Sequence, residues 1–170
     1  VLQGKLFEES PHKQAFAKLE LPSCVTCHES HRIHHPDDNF VGTGKSAVCG
    51  TCHIASEPAG QMADGTHSNF LHLTADITSA KSLLERAARS GMDVADAELE
   101  LTQANDALMK ARVSLHSAQS ARVAADLEAG KKIGLTRATL EEATVPGIAP
   151  SSAQIVYFDD IAATLQAMIS

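Results

Sequence analysis

The chain has 170 residues and a formal net charge of −7. That length allows one domain with a hydrophobic core, or one domain with an appendage. The acidic balance, the single tyrosine and the absence of tryptophan argue against a nucleic-acid binder, which needs a basic stripe and aromatic platforms. No apolar run approaches the roughly 20 residues that span a membrane, so we expect no membrane span. The first ten residues, VLQGKLFEES, lack the pattern of a signal peptide.

The composition changes along the chain. All four cysteines and eight of the nine histidines lie in residues 1–72, together with most of the glycine and proline clusters. From about residue 73 the chain is rich in Ala, Leu, Glu, Lys and Arg, which is the composition of helices. We therefore predict a mainly α protein in two parts that can form one cooperative unit. An irregular cofactor-binding segment, residues 1–66, would pack on a helical scaffold, residues 67–170, built as an antiparallel hairpin or bundle.

Two copies of the pattern C-x-x-C-H use all the cysteines of the chain. The pattern fits covalent c-type haem attachment, in which both thiols add to the haem vinyl groups and the adjacent histidine becomes the proximal iron ligand. The sequence therefore predicts two haem c groups. PSCVTCH supplies Cys24, Cys27 and His28 for haem 1, and VCGTCH supplies Cys49, Cys52 and His53 for haem 2.

Three other interpretations compete with haem. A thioredoxin-like redox pair needs a βαβ context that is missing here. A two-disulfide scaffold is unusual in a long, mostly helical chain. A structural zinc site could use both cysteine pairs, although the 21 intervening residues between Cys27 and Cys49 are slightly many. Only the haem interpretation explains why histidine follows both cysteine pairs, and why further histidines are available as sixth ligands.

Seven histidines lie outside the motifs, and three are candidate distal ligands. His12 stands twelve residues before Cys24, far enough to reach the distal face of haem 1. His31 follows His28 by three residues, about 10 Å of extended chain, which is short for rounding the same macrocycle. We expect it to serve haem 2 or a haem of another chain. His116 lies alone in the helical part, on a predicted apolar stripe, where a histidine can equally be a core residue.

The surplus of histidine favours bis-histidine ligation of both irons over His/Met ligation. Met62 is the only methionine close to the predicted haem segment. We expect the remaining histidines to be solvated surface residues. These are His34, His35, His67 and His72.

Hydrophobic spacing predicts the helices. Residues 73–90 carry Leu73, Ile77 and Leu84 at helical intervals, and SGMD at 90–93 breaks the pattern. A second helix is predicted over 94–129, capped by Asp93 and stopped by Gly130. A shorter helix is predicted over 136–143 and a last one over 159–169. The stretch QIVYF could be a short strand, but we expect it to lead into the last helix.

The residues around the motifs resemble those of bacterial multihaem c-type cytochromes of the low-potential, bis-histidine class. The resemblance rests on SPH upstream, C-x-x-C-H-x-x-H followed by HRI and PDD, the second C-x-x-C-H, and the late ARVSLH. It implies distal-ligand roles for His12, His31 and His116, one of them spare or serving a neighbouring subunit. It also implies a periplasmic or extracellular location. The chain departs from the family in having only two haem motifs.

We therefore expect electron transfer with redox partner proteins, and an electron carrier in preference to an enzyme. One alternative is a haem enzyme with one open iron that reduces nitrite, hydroxylamine or peroxide. Another is a repeating subunit of a haem-chain assembly, a homo-oligomer in which copies share a haem ligand.

Overall fold

The computed structural model of the chain describes residues 2–31, 33, 35–136 and 154–158. This part of the protein is mainly helical, as predicted. Three short 3-10 helices, Asp38–Phe40, Cys49–Thr51 and Leu115–Ser117, lie between α-helices. The α-helices are α1 (Leu2–Glu8), α2 (Pro11–Lys18), α3 (Val25–His28), α4 (Pro58–Arg89), α5 (Ala95–Ser114) and α6 (Ser120–Ala129).

Two strands follow the helices. β1 (Lys132–Thr136) pairs in parallel with β2 (Gln154–Phe158), with Ile133 opposite Ile155. QIVYF is therefore a strand, the alternative that the sequence also allowed. The predicted helices at 136–143 and 159–169 lie outside the described residues, apart from Thr136, which ends β1. Within the described ranges, no helix is both long and apolar enough to cross a membrane.

Helix α4 begins at Pro58, well before the predicted start at residue 73. Proline suits the first helical position because its missing N–H would have no partner there. Gly60 allows the first turn to lie directly on the preceding backbone, since a Cβ at this position would collide with the carbonyl oxygen of Ile54. The helix ends at Arg89, and Gly91 takes the left-handed conformation, φ 83°, at the predicted break.

The predicted continuous helix over 94–129 is wrong. The Asp93 side chain accepts a hydrogen bond from the Ala95 N–H at 3.1 Å, as expected of a cap. However, α5 ends at Ser114, and Ala118 adopts a left-handed conformation, φ 50°, before α6 begins. The Ser117 hydroxyl donates to the Ser114 carbonyl at 2.7 Å, a local bond that competes with the helical ladder. The apolar stripe that the sequence predicts from Met109 through His116 to Leu127 is therefore interrupted, and Met109 is half exposed while Leu127 is buried.

The chain divides into two compact units. The first comprises Val1–Leu71 and Leu108–Leu127, and so contains both C-x-x-C-H motifs. The second comprises His72–Ala107 and Glu128–Ser170. The predicted functional division into 1–66 and 67–170 stays a prediction. The buried apolar side chains of the first unit include Leu6, Val41, Phe70, Leu108, Ala111, Val123 and Leu127.

In the second unit, the end of α4 lies beside the start of α5. Side chains from both helices, among them Leu84 and Leu101, line one groove. Gly130 approaches Leu73 and Ala104 so closely that a Cβ would lie 3.0 Å from one and 3.2 Å from the other. This unit therefore has the paired helices that the sequence predicted, while the residues with metal-binding chemistry concentrate in the first unit.

Candidate functional site

The two C-x-x-C-H motifs form the same local turn. In the first, α3 carries the motif, and the His28 N–H donates to the Cys24 carbonyl at 3.0 Å. In the second, the 3-10 helix Cys49–Thr51 carries it, and the His53 N–H donates to the Cys49 carbonyl at 2.9 Å. One helical turn brings side chains three and four residues apart to one face. The paired thiols and the following imidazole are therefore held close together in each motif.

The two motifs also lie near each other. Burial, followed by the proximity of the other three cysteine thiols, raises the pKa of the Cys27 thiol. Two of these thiols, Cys49 and Cys52, belong to the second motif, so the two motifs are neighbours in the first unit. All four cysteines are free thiols. They are therefore available for covalent attachment of a cofactor.

His28 of the first motif faces His116. Their ring centroids lie 6.1 Å apart, and the ring planes differ by 15°. Phe40 packs on His28 with a centroid distance of 5.4 Å. Burial, and then the proximity of His116, lowers the pKa of His28. A lowered pKa favours the neutral imidazole, which is the form that binds a metal.

His53 of the second motif faces His12. Their ring centroids lie 6.0 Å apart, with ring planes 46° apart. Helix α2 carries His12, and Phe16 packs against its ring at a centroid distance of 5.5 Å. Burial, and then the proximity of His53, lowers the pKa of His12. The sequence assigned His12 to the first motif, but in the structure it lies against the histidine of the second. The short α2 carries its side chain towards that motif.

Both separations fit an iron between two imidazoles. A metal–imidazole bond is about 2 Å long, and with about 1 Å from nitrogen to ring centre on each side the centroids come to about 6 Å apart. The observed distances are 6.1 Å for His28 with His116 and 6.0 Å for His53 with His12. Each motif histidine is therefore matched with one candidate distal histidine at the separation that ligation of a shared iron requires.

The tautomer of His116 also suits ligation. Its Nδ1 lies 3.0 Å from the carbonyl oxygen of Val113. A carbonyl can only accept, so the Nδ1 carries the proton and donates it. In a neutral imidazole with this tautomer, the lone pair lies on the Nε2. Histidine ligands of metals commonly donate their second ring N–H to a carbonyl or carboxylate in this way.

An ion pair ties the two sides of the first histidine pair together. Arg112 of α5 donates to both carboxylate oxygens of Asp38, at 2.9 and 2.7 Å. Asp38 is buried and begins the 3-10 helix that presents Phe40 to His28. The bidentate geometry fixes orientation as well as distance. Sequence reasoning missed this pair because its partners are 74 residues apart.

Exposed apolar side chains flank both motifs. Ile33 is 72% exposed and Ile54 59% exposed, and each lies within a few residues of a motif histidine. Such side chains suit the apolar edge and faces of a haem, whose burial against them would be favourable. The large exposed apolar residues on either side of the motifs are Leu19, Leu21, Val25, Ile33 and Ile54.

The other histidines are placed differently. His31, a predicted distal ligand, is exposed and pairs with neither motif histidine. His35 and His72 are exposed, and His34 lies outside the described residues. His67 is not the solvated residue that we expected: its Nε2 is buried and has no hydrogen-bond partner. Met62 is 39% exposed at the start of α4.

Among the described residues, no three side chains of His, Cys, Asp or Glu converge as they would around a bare metal ion. A haem iron takes only its two axial ligands from the protein, so a pair of facing histidines is the arrangement to look for. No family model, no curated protein and no solved structure matches the chain.

Proposed function

We propose that the chain is a dihaem c-type cytochrome that transfers electrons. Cys24 and Cys27 attach one haem, and Cys49 and Cys52 attach the other. The proposal includes bis-histidine ligation, by His28 with His116 and by His53 with His12. It also includes a periplasmic or extracellular location, since covalent haem attachment is carried out beyond the cytoplasmic membrane.

The observation that carries the proposal is the pairing of histidines. Each histidine that follows a C-x-x-C pair faces a second histidine at a centroid distance close to 6 Å, 6.1 Å in one pair and 6.0 Å in the other. Solvated surface histidines would not be expected to pair twice at this distance within one unit. A structural zinc site would gather four cysteine or histidine side chains around one ion, whereas no three such side chains converge among the described residues.

The haems would supply the one-electron chemistry, and the protein sets its conditions. The thioether cysteines would hold each haem to one turn of the chain. Two histidine ligands for each haem would leave no position for a substrate at the iron. Histidine at both axial positions gives a lower potential than a His/Met pair. The closeness of the two motifs favours electron exchange between the two haems.

Intact-mass analysis under denaturing conditions tests the proposal. The mature protein should have the mass of the polypeptide plus two haems, because thioether bonds survive denaturation. Electron paramagnetic resonance should show two low-spin ferric centres. The Cys24→Ala, Cys27→Ala double variant should lose one haem and retain the other. A mass equal to that of the bare chain would refute the proposal and return zinc to consideration.

Carbon monoxide separates the electron carrier from a haem enzyme. Two saturated irons should bind it slowly in the reduced protein at neutral pH. Rapid binding at one haem would instead reveal an open iron and favour reduction of nitrite, hydroxylamine or peroxide.

Oligomeric state, measured by light scattering with wild type and His31→Ala, tests whether the exposed His31 serves a second copy.

A further inference from the structure

The turn that carries His116 is built from buried polar side chains. The Ser117 side chain is fully buried, and its hydroxyl donates to the Ser114 carbonyl at 2.7 Å. The same oxygen accepts a hydrogen bond from the Gln119 N–H at 3.3 Å. Ala118 takes a left-handed conformation, φ 50°, which costs a non-glycine residue free energy. The chain therefore leaves the helix at one defined place, and His116 lies at that place.

Asp126 of α6 is hydrogen-bonded to Ser114, the residue that immediately precedes this turn. Its Oδ2 accepts a hydrogen bond from the Ser114 hydroxyl at 2.6 Å, and both residues are buried. Its Oδ1 lies 2.8 Å from the Nζ of Lys110, which is on α5 one turn before Ser114. One carboxylate thus joins the last turn of α5 to α6 across the interruption. Removing such a carboxylate would leave the Ser114 hydroxyl buried with one partner fewer, an unfavourable arrangement.

The charge of Asp126 is stabilised where it lies. Burial by itself raises the pKa of the Asp126 carboxyl, but hydrogen bonds from Lys110 and Ser114, with the charges of Lys110 and Arg122, outweigh it and hold the pKa below its ordinary value. The carboxylate is therefore the form that accepts the Ser114 bond at neutral pH. The substitution Asp126→Asn would keep the shape and remove the charge.

We infer that Asp126 is a positioning residue for His116: through Ser114 it holds the 3-10 turn Leu115–Ser117, and with it the ring of His116, at the separation of 6.1 Å from the ring of His28 that a shared iron would require. The inference rests on the proposed function. Three hydrogen bonds lead from the carboxylate to the ring. The Asp126 carboxylate accepts from the Ser114 hydroxyl, and the Ser114 carbonyl accepts from Ser117 at the other end of the turn. The carbonyl of Val113, the residue before Ser114, accepts from the ring of His116. In the part of the chain that the structure describes, no buried carboxylate is bonded to α2, where the exposed Glu8 pairs with Lys13, so the effect should be confined to haem 1.

The test uses the mature full-length protein with its haems and the variants Asp126→Asn and Ser114→Ala. Asp106→Asn, on the exposed side of α5, is the matched control. Outer-shell substitutions lower the affinity of a metal for its site about 10–100-fold. We therefore expect the carbon monoxide concentration that displaces one axial histidine in the reduced protein to fall about 10–100-fold in both variants. The other haem and the control should be unchanged.

Electron paramagnetic resonance of the ferric protein gives a second readout that general destabilisation would not move. One low-spin signal should shift or become partly high-spin, while the second stays as in wild type. The double variant Asp126→Asn, His116→Ala should give the same haem 1 signal as His116→Ala alone, because the carboxylate acts only through that histidine. If the variants carry two haems and match wild type in both measurements, the inference is overturned and the proposed function stands. If wild type carries no haem, the proposed function itself fails.

Discussion

The two facing histidine pairs of the first unit are held in different ways. The ring of His116 is fixed by the Val113 carbonyl, on a turn supported by buried Ser117 and Asp126. The ring of His12 has no hydrogen bond within the described part of the chain, and α2, which carries it, has no buried residue. The separations are nevertheless alike, 6.1 Å and 6.0 Å. The two pairs therefore have similar separations, although hydrogen bonds hold the ring and the turn of His116 and, among the described residues, none holds the ring of His12.

This difference matters for the two irons that we propose. A ligand held by its surroundings loses little conformational freedom on binding and is difficult to displace. A ligand on a short exposed helix is held mainly by the metal bond itself, together with the contact between His12 and Phe16. We therefore expect haem 1 to be the more resistant to ligand exchange, and haem 2 the first to open when the protein is stressed.

The largest effect should come from removing the distal histidines one at a time. His116→Ala should make one haem high-spin, and His12→Ala should make the other high-spin, because each of the two proposed irons would lose one of its two histidine ligands. His116→Ala should also lower the melting temperature more, since it disrupts the supported turn. Optical and paramagnetic resonance spectra of the two variants and their double mutant measure this.

His35→Ala is the control, because His35 is exposed and pairs with neither motif histidine. It should leave both haem spectra and the melting temperature as in wild type. If His116→Ala leaves both spectra unchanged, that histidine is a core residue. His12 and His31 would then be the better pair of distal ligands.

A smaller effect should follow from Arg112→Ala, which removes the bidentate partner of buried Asp38. Hydrogen bonds to charged groups contribute roughly 1.5–3 kcal/mol each in favourable cases, and a nearly buried carboxylate would lose two of them. We expect the free energy of unfolding to fall by about 2–3 kcal/mol. The change should reach haem 1 through Phe40 and leave haem 2 unchanged.

Chemical denaturation followed by circular dichroism measures the free energy of unfolding. The spectra of each haem test whether the change is confined to haem 1. Arg112→Lys provides the comparison, because lysine keeps the charge but cannot form the two parallel hydrogen bonds. An intermediate loss is expected for it. Equal shifts at both haems in Arg112→Ala would show that the ion pair supports the whole unit and not the first pair alone.

Local features were accessible from the sequence, and long-range pairings were not. The C-x-x-C-H motifs, the Asp93 cap and the break at Gly91 are encoded within a few residues, so spacing and composition were sufficient. The partner of His12 depends on the direction of α2, which no local pattern specifies. The ion pair of Asp38 with Arg112 spans 74 residues. Such contacts are fixed by the fold and have no signature in either segment alone.

The interruption at residues 115–118 shows a further limit of sequence reasoning. Neither glycine nor proline marks it, and the left-handed position is occupied by alanine, Ala118. Leu101, Leu108 and Leu115 recur at seven-residue intervals up to the break, and this spacing favoured an unbroken helix. What ends α5 is a set of buried hydroxyl and carboxylate bonds from Ser114, Ser117 and Asp126. Because serine is common in helices, Ser114 and Ser117 give no signal in the sequence. Their role is seen only from the residues to which they are hydrogen-bonded.

Gly60 tests the support behind the second pair. A Cβ at this position would collide with the carbonyl oxygen of Ile54, the residue after His53. Gly60→Ala should therefore displace the backbone next to His53 and cost about 1–3 kcal/mol of unfolding free energy. The haem 2 spectrum should shift while that of haem 1 stays constant.

Gly65→Ala is the matched control on the same helix, because nothing lies within 4 Å of a Cβ there. It should stabilise the protein by roughly 0.5–1 kcal/mol, since alanine is the better helix former. A Gly60→Ala variant that behaved like Gly65→Ala would show that the second motif tolerates movement of its backbone. The contrast in rigidity between the two sites would then extend from the distal to the proximal histidine.

The smallest effect is expected from acid, through Asp64 on the side of the second motif. Its carboxylate accepts hydrogen bonds from the backbone N–H of Thr43 at 2.7 Å and from its hydroxyl at 2.8 Å. The backbone bond, and then the hydroxyl bond, hold the pKa of Asp64 below its ordinary value of 3.8. The Thr43 carbonyl in turn lies close to Gly50, between Cys49 and Cys52.

Because the folded-state pKa is the lower one, the contribution of Asp64 to stability is complete above its ordinary pKa of 3.8 and is lost as the pH falls through the folded value. The difference in unfolding free energy between wild type and Asp64→Asn should be constant from neutral pH down to about pH 5 and should shrink below pH 4. Thr43→Val, which keeps the backbone donor and removes the hydroxyl, should show a smaller difference of the same form. Denaturation curves between pH 3 and pH 7 measure both. A difference that grew on acidification would mean that Asp64 is stabilised in its protonated form, and that the tie between α4 and the second motif does not depend on its charge.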